Sequence, residues 1–545
     1  MGNWANGLIF DKQNRLHIAS LLGREIIVID RESGHVLDRL TKEDGVESPD
    51  DLVFGPDGSL YWTVFLTGEV GKRTPDGRIS TIARLSPGVN PITFSRDGRL
   101  FVALCFLGEG LYEVDPNGVN EPRLVLPKLP STSAAGICTL NGMDFGEDGF
   151  LYGPRVFEKD IVRVNIETGD FDTVATGFEA PSAVKFNSKG ELFATDVSSQ
   201  LLTRIDVTDG SKQVIAKLSP NLDNLAFDSD DRLFVSVSSD TSIVEVKMDG
   251  SFRTVSKGGM SFPGGVAVFP QSGGDSIWVA DFGGVYEFSA RTGALLTNRP
   301  AKLFAETLVG PNTVARDGNN LLFTNFFQNT VQVWDPRADK ILSDYRNFAT
   351  PLNAIRYRGD LIVAQLANKN VVRANGRNAT SQKVLISDIA APVGLAATDD
   401  KVWVTDWATG RVLQIIENGM KLTTPIVVAV GLKEPEGLAV ARDGGLLVVE
   451  AGAKRLSRIS LKSRRKCVLA SDLEIGLAGP NATAIPLSPA YALSGVDQAP
   501  NGDTFVAAAK GRLIYKLRLN RKVRPTTTYR RGYFKSVAEK SSKKS

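Results

Sequence analysis

Short runs of alternating apolar and polar residues recur along the chain, separated by turn residues. Segment 51–65 reads DLVFGPDGSLYWTVF, 91–104 PITFSRDGRLFVAL and 142–152 GMDFGEDGFLY. Segment 183–196 reads AVKFNSKGELFATD, 225–237 LAFDSDDRLFVSV and 437–450 GLAVARDGGLLVVE. Each is an alternating strand, a turn mostly of the Asp-Gly type, and a second strand. That pattern predicts a β-hairpin, because Gly supplies the positive φ that tight hairpin turns demand. A third strand follows, as in Glu25-Ile26-Ile27-Val28-Ile29-Asp30, and a more variable fourth, as in His35-Val36-Leu37-Asp38-Arg39.

Twelve such units open near residues 7, 51, 91, 142, 183, 224, 265, 313, 354, 394, 437 and 495. The last interval is lengthened by a Gly-, Pro- and Ala-rich insertion over residues 474–492. Four strands in roughly 42 residues is the size of one β-propeller blade. The expected fold class is therefore all-β. Twelve blades exceed what one ring usually holds, so two tandem β-propellers of six four-stranded blades are the simplest division. The break falls near Lys257-Gly258-Gly259-Met260-Ser261-Phe262. This predicts a first propeller over 1–258, a second over 263–525 and a basic disordered tail over 526–545. A five-and-seven split and an open solenoid of strands are the alternatives.

Composition narrows the function classes. The chain has 545 residues, 42% apolar and 23% charged, as in ordinary globular proteins. No run approaches the roughly 18 apolar residues of a membrane helix, so no membrane span is expected. The net charge of +3 hides an asymmetry. Residues 512–545 hold 12 Lys or Arg against Glu539, so they carry +11 and the rest +3 − 11 = −8. An acidic body with a basic, solvated tail does not fit nucleic-acid binding. Three cysteines (Cys105, Cys138 and Cys467) lack CxxC spacing. A disulfide framework is not expected, and with no export signal at Met1-Gly2-Asn3-Trp4 the expected setting is the reducing cytoplasm. The aromatics of Tyr61-Trp62, Phe326-Phe327 and Asp406-Trp407, in or near second strands, are expected in the core between blades, with a pocket wall as the alternative.

In a propeller the residues just before each first strand meet at one mouth of the central channel. Aligning the units places Asn6, Asp50, Asn90, Asn141, Ser182 and Asp223 there in the first ring, with Asp51 and Asn224 beside them. In the second ring the positions are Gly264, Asn312, Asn353, Val393, Glu436 and Ser494. Carboxylate and amide oxygens are hard ligands that suit calcium or magnesium. Two converging Asp repel unless a cation or proton intervenes. Asn312, Asn353 and Glu436 form a second, less charged candidate site. The competing expectation is local: Asn and Asp before a strand also cap turns by accepting from nearby backbone amides. The two histidines, His17 and His35, stand at neither mouth, and structural or solvated roles are expected. The serine-hydrolase elbow and the P-loop are missing from the sequence.

At these residues the chain resembles the senescence-marker-protein/gluconolactonase group of six-bladed propellers, with paraoxonase, strictosidine-synthase-like and NHL-repeat relatives. Ser48-Pro49-Asp50-Asp51-Leu52 resembles the acidic motif of paraoxonases. Leu140-Asn141-Gly142-Met143 and Leu222-Asp223-Asn224-Leu225 resemble the group's ligand motifs, and Pro435-Glu436-Gly437-Leu438 its Glu-Gly motif. The resemblance implies a divalent ion, usually calcium, at the channel mouth, held here by Asp50, Asn141 and Asp223, with Asn90 and Asn224 added to the expected metal site by their place at the aligned mouth. It implies hydrolysis of a small-molecule lactone or ester, with Asp223 or Asp51 as the base. A non-catalytic scaffold that binds a protein or small ligand, and a lyase or cyclase acting on a specialised metabolite, are the other readings of the same fold.

Overall fold

A computed structural model describes residues 5–131, 138–219, 221–271, 273–301, 310–326, 328–375, 378–476, 493–518 and 534–536. Most of the insertion at 474–492 and most of the basic tail lie outside the described residues. The described chain is all-β: twelve four-stranded sheets, each built from strands in chain order. Two single-turn 3₁₀ segments, Lys42–Asp44 and Ala451–Ala453, are its helical elements. No helix among the described residues is long and apolar enough to cross a membrane.

The hairpin turns form for the expected reason. Gly58, Gly98, Gly149, Gly190 and Gly444 sit at φ between +74° and +86°. Where the repeat has Asp231 instead, that residue takes φ +57°, a conformation Asp tolerates better than most side chains. Second strands are buried on both faces, as in Leu60–Val64, Leu100–Leu104 and Leu233–Val237. Fourth strands face water, as in Val36–Leu40. The core therefore lies between neighbouring sheets. Tyr61 packs with Leu100 and Val102 of the next sheet, and Trp62 with Ala19 and Ile26 of the preceding one.

The chain divides into two compact units, with the border between Ser261 and Phe262. In the first, the innermost strands are Ala5–Phe10, Pro49–Phe54, Val89–Phe94, Asp144–Phe145, Pro181–Phe186 and Leu222–Phe227. Each packs on the next, and Leu222–Phe227 returns to Ala5–Phe10. The second unit repeats this order with Pro263–Phe269, Thr313–Asp317, Pro351–Tyr357, Pro392–Ala397, Pro435–Val440 and Val496–Gln498, the last packing on the first. Its final sheet takes its fourth strand from Phe534–Ser536, which runs parallel to Leu513–Arg518. Those residues fall in the segment expected to be disordered. Their pairing covers an edge that would otherwise expose a row of unpaired backbone groups.

A hydroxyl on the second strand joins sheet to sheet. Thr63 Oγ1 accepts the Asp51 N–H at 3.1 Å and donates to the Asn90 carbonyl at 2.7 Å. Thr195 donates to Asp223 O at 3.1 Å, and Thr324 and Thr405 donate to Leu352 O and Glu436 O, both at 3.3 Å. Ser236 makes the joint that closes the first unit. Its Oγ accepts the Asn224 N–H at 3.0 Å and donates to Asn6 O at 2.8 Å. Around it Leu16, Ile18 and Ile27 of the first sheet pack with Ala226, Phe234 and Ile243 of the sixth. Outside them lies an ionic seam: Arg31 with Asp228 and Asp230, and Glu32 with Arg232 and Arg253. Among the described residues no strand is exchanged across this joint. Ser236→Ala leaves a buried carbonyl and a buried amide unpaired, so urea unfolding should show a loss of about 1–2 kcal/mol. Ser251→Ala serves as control, since that hydroxyl meets only Asp249 in an exposed turn.

The cysteines correct a sequence expectation. Cys105 and Cys138 form a disulfide, and Cys467 is free and exposed. The two lie 33 residues apart, so no local spacing announces them. The fold brings them together because one directly follows the second strand of the third sheet and the other leads into the fourth.

Candidate functional site

The mouth of the first unit is built by a repeated irregularity. The innermost strands slip register between Ala5 and Leu8, Pro49 and Leu52, Val89 and Ile92, Pro181 and Ala183, and Leu222 and Leu225. A bulge leaves its extra residue out of the ladder and re-aims its side chain. Asn6, Asp50, Asn90, Ser182 and Asp223 all sit inside these bulges. Asn141 stands before the short strand Asp144–Phe145, its N–H donating to Pro154 O at 3.0 Å. Proline marks many bulges from the outside, at Pro49, Pro181, Pro263, Pro351, Pro392 and Pro435. It opens the strand where its missing N–H costs no ladder bond. That recurring Pro is a sequence signal that locates the bulge to the residue.

The polar residues at this mouth divide into two groups. Asp51, Asn224 and Ser182 spend their side chains on the protein. Asp51 Oδ1 accepts the Leu52 N–H at 2.9 Å and Asn224 Nδ2 at 3.1 Å, and its Oδ2 accepts the Ile92 N–H at 3.2 Å. Asn224 Oδ1 accepts the Leu225 N–H at 2.9 Å. Ser182 Oγ donates to Leu222 O at 2.9 Å. The Asp51–Asn224 bond joins the second and sixth sheets across the first, where Gly7 presents no side chain. A Cβ on Gly7 would stand 2.4 Å from Asp51 Oδ1.

The other group keeps its oxygens. Asp50 Oδ1 accepts Asn6 Nδ2 at 2.6 Å, but its Oδ2 is buried without a hydrogen-bond partner. Among the described residues no donor reaches the Asp223 carboxylate, and the side-chain amides of Asn90 and Asn141 bond to nothing. Burial and the charges of Asp223 and Asp51 hold the Asp50 carboxyl well above the usual carboxylate range. Burial, then the charge of Asp51, pushes Asp223 up to about 7. Asp51 is itself raised by burial, against the pull of Lys185.

This donor set suits a hard cation. A buried carboxylate oxygen without a donor beside a second carboxyl is costly, and an oxygen-loving divalent ion relieves both the desolvation and the repulsion. Asp50 and Asp223 would supply charge, and Asn90 and Asn141 neutral oxygens. No three His, Cys, Asp or Glu side chains among the described residues form a metal-sized group. Amide oxygens would thus have to complete the coordination.

The corresponding region of the second unit is different in kind. Pro351 and Asn353 flank the bulge in the ninth sheet, so the residue at the mouth is Leu352, one place before the Asn353 that alignment selected. Leu352 is buried with Leu366, Ala391, Val393 and Leu493, against Phe326 and Trp407. Asn312 Oδ1 accepts the Phe326 N–H at 3.1 Å, and Glu436 Oε2 accepts the Ser494 N–H at 2.7 Å. Burial pushes Glu436 up to about 8, so its carboxyl is largely neutral at pH 7. Asn312, Asn353 and Glu436 therefore do not present a set of unspent hard oxygens. Asn353 instead lines a cavity of about 340 Å³ in the channel of this unit, with Gly265, Gly437, Gly495, Arg316 and Arg356. His17 lies away from both regions, buried, with Nε2 3.1 Å from Asp11 Oδ2, and His35 is exposed. Tyr61 and Trp62 are core residues.

No family model and no curated protein matches the chain. Solved structures similar to it include a gluconolactonase from Xanthomonas campestris, at 16% identity over 44% of this chain and 84% of that one, with a TM-score of 0.36. Virginiamycin B lyase from Staphylococcus aureus is 13% identical over 59% and 92%, with a TM-score of 0.24. An extracellular domain assigned to a one component system from B. thetaiotaomicron is 12% identical over 93% and 74%, with a TM-score of 0.33. The functional reading accordingly stands on the chain's own residues.

Proposed function

We propose that the chain comprises two six-bladed propellers and that the first is a divalent-metal-dependent hydrolase of lactones or esters. The cyclic packing of six inner strands in each unit supports the architecture. One observation carries the chemistry: at the first mouth, Asp50, Asn90, Asn141 and Asp223 keep oxygens that the protein does not use, while the side chains of Asp51, Asn224 and Ser182 are engaged. Calcium or magnesium bound there would supply a Lewis acid for the substrate carbonyl and its developing negative charge. Asp50, anchored by Asn6, fixes one side of the site. Asp223 is the base that takes a proton from the attacking water. In the metal-free chain burial raises this carboxyl to about 7; a bound cation would lower it and keep the carboxylate ionised and ready to accept the proton. Asp51 is excluded from the role because both its oxygens are engaged; it orients the sheets that carry the site.

Calorimetric titration with calcium, followed by assay on a panel of lactones and aryl esters before and after chelation, tests the reading. Activity that survives chelation without loss ends it. A stability measurement adds the pH dependence. A carboxyl whose folded pKa exceeds its unfolded value stabilises the fold below the unfolded value, and that contribution is lost as pH rises through the folded pKa. For Asp223 the window runs from about 4 to about 7. The metal-free chain should thus lose stability across this window. Saturating calcium should restore it at the upper end, raising Tm by about 5 °C or more at pH 8 and by little at pH 5, where protons compete.

A further inference from the structure

The disulfide lies between the two segments that carry the amide oxygens of the first mouth. Cys105 directly follows the strand Leu100–Leu104, and its N–H donates to Gly88 O at 2.8 Å, two residues before Asn90. Cys138 faces it across an antiparallel bridge and stands three residues before Asn141. The Asn141 segment needs such a tie. In the fourth sheet the regular inner strand begins only at Asp144 and has two residues. Between Cys138 and Gly142 the backbone is held by Thr139 N–H to Leu104 O at 3.0 Å, Asn141 N–H to Pro154 O at 3.0 Å, and Val184 N–H to Gly142 O at 2.8 Å. The Thr139 hydroxyl accepts the Gly110 N–H at 2.7 Å. These are isolated bonds, not a ladder, and the covalent link stands at their head.

We propose that Cys105–Cys138 is a thiol switch that sets the cation affinity of the first mouth; the affinity part rests on the reading above. Cys105 is fully buried, whereas Cys138 is partly exposed, so a reductant meets the Cys138 sulfur first. A thiolate of a dithiol reductant attacks Cys138 Sγ. The Sγ–Sγ bond breaks, and Cys105 leaves as a thiolate and takes up a proton. The second thiol of the reductant then attacks the mixed disulfide, releasing Cys138 as a thiol and the reductant as its own disulfide. Two electrons pass to the protein and none are left over. With the link open, the lead-in to Asn141 keeps its scattered hydrogen bonds and the buried Leu140 and Met143 but loses its covalent tie, and the separation of the Asn90 and Asn141 oxygens is less tightly fixed. Oxidised chain binds the cation tightly, and reduced chain weakly.

The test uses the full chain carrying Cys467→Ser, with dithiothreitol as reductant and calcium as ligand. Alkylation and mass measurement count free thiols before and after reduction. Hydrogen exchange should rise about tenfold or more in Cys138–Met143 on reduction, and stay unchanged in Leu222–Phe227 on the far side of the unit. The calcium Kd should rise by about tenfold, as when an outer tie to a metal ligand is cut. The double variant Cys105→Ser/Cys138→Ser should match the reduced chain. Should it not fold, the dithiothreitol titration of the intact chain decides. Equal exchange in Cys138–Met143 in both states, or alkylation of both cysteines without reductant, overturns the switch. Raised exchange with no calcium binding in either state overturns the cation reading and leaves thiol control of the segment standing.

Discussion

Gly7→Ala is expected to destabilise the first unit by about 3 kcal/mol or more, the upper end of what overpacking costs. The added methyl would lie 2.4 Å from Asp51 Oδ1, 2.6 Å from Asp51 Cα and 2.9 Å from Asp50 O. Two of these three atoms are backbone, so no side-chain rotation relieves the contact. The second sheet must move away from the first, and with it Asp50. The same shift pulls Asp51 from Asn224, leaving a buried carboxylate and a buried amide short of partners. Gly273→Ala is the matched control, because a Cβ there meets nothing within 4 Å. Thermal unfolding followed by tryptophan fluorescence reads both variants. A Gly7→Ala protein as stable as the control would mean that the Asp51–Asn224 bridge does not cross the first sheet.

The second large effect is chemical. Asp223→Asn should lower hydrolytic kcat by about 10³-fold, the middle of the range for loss of a general base. Stability should not fall, because the substitution removes a partly buried carboxyl whose ionisation its surroundings disfavour and breaks no hydrogen bond among the described residues. In the metal-free chain, Asp50 should titrate closer to its ordinary range once the neighbouring charge is gone. The pH profile separates the base from a mere ligand. With Asp223 present, kcat rises with pH as the carboxyl ionises; in the variant that limb disappears. Asp51→Asn provides the contrast. It should damage folding more than chemistry, since the Asp51 carboxylate accepts from Leu52, Ile92 and Asn224. Equal losses of kcat in the two variants, with equal Tm, would remove Asp223 from the role of base.

The repeat was readable from residues alone because hairpin chemistry is local. A short turn between two alternating runs, often Asp-Gly, needs no knowledge of what packs on it, and the twelve repeats became twelve sheets. In the first unit, five of the six positions picked by aligning the runs fall inside bulges, and Asn141 stands before the short strand Asp144–Phe145. The ninth sheet shows the limit of alignment. A bulge adds one residue, and at Pro351-Leu352-Asn353 the polar residue is not the one that is re-aimed. Which acids and amides remain unspent was not readable at all. Asp50 and Asp51 are adjacent and identical in type, yet one keeps an oxygen free while the other is used up by a strand 41 residues further on. The linking hydroxyls of Thr63, Thr195 and Ser236 were hidden for the same reason, since their acceptors lie on the next sheet. The cysteine pair shows it again: parity and spacing count neighbours in sequence, and the bond joins neighbours in space.

The joint between the first and sixth sheets has a consequence for any experiment on the site. Among the described residues it is the joint between neighbouring sheets of that unit whose partners lie farthest apart in the chain. Much of its outer grip is electrostatic and partly exposed, through Arg31, Glu32, Arg232 and Arg253. Attractions of that sort fade as the Debye length shrinks, from about 10 Å at 0.1 M to about 3 Å at 1 M. Asn6 and Asp223 belong to the two sheets that meet there. High ionic strength should thus loosen the outer seam of this joint modestly, while the buried cluster and the Ser236 bonds keep it closed.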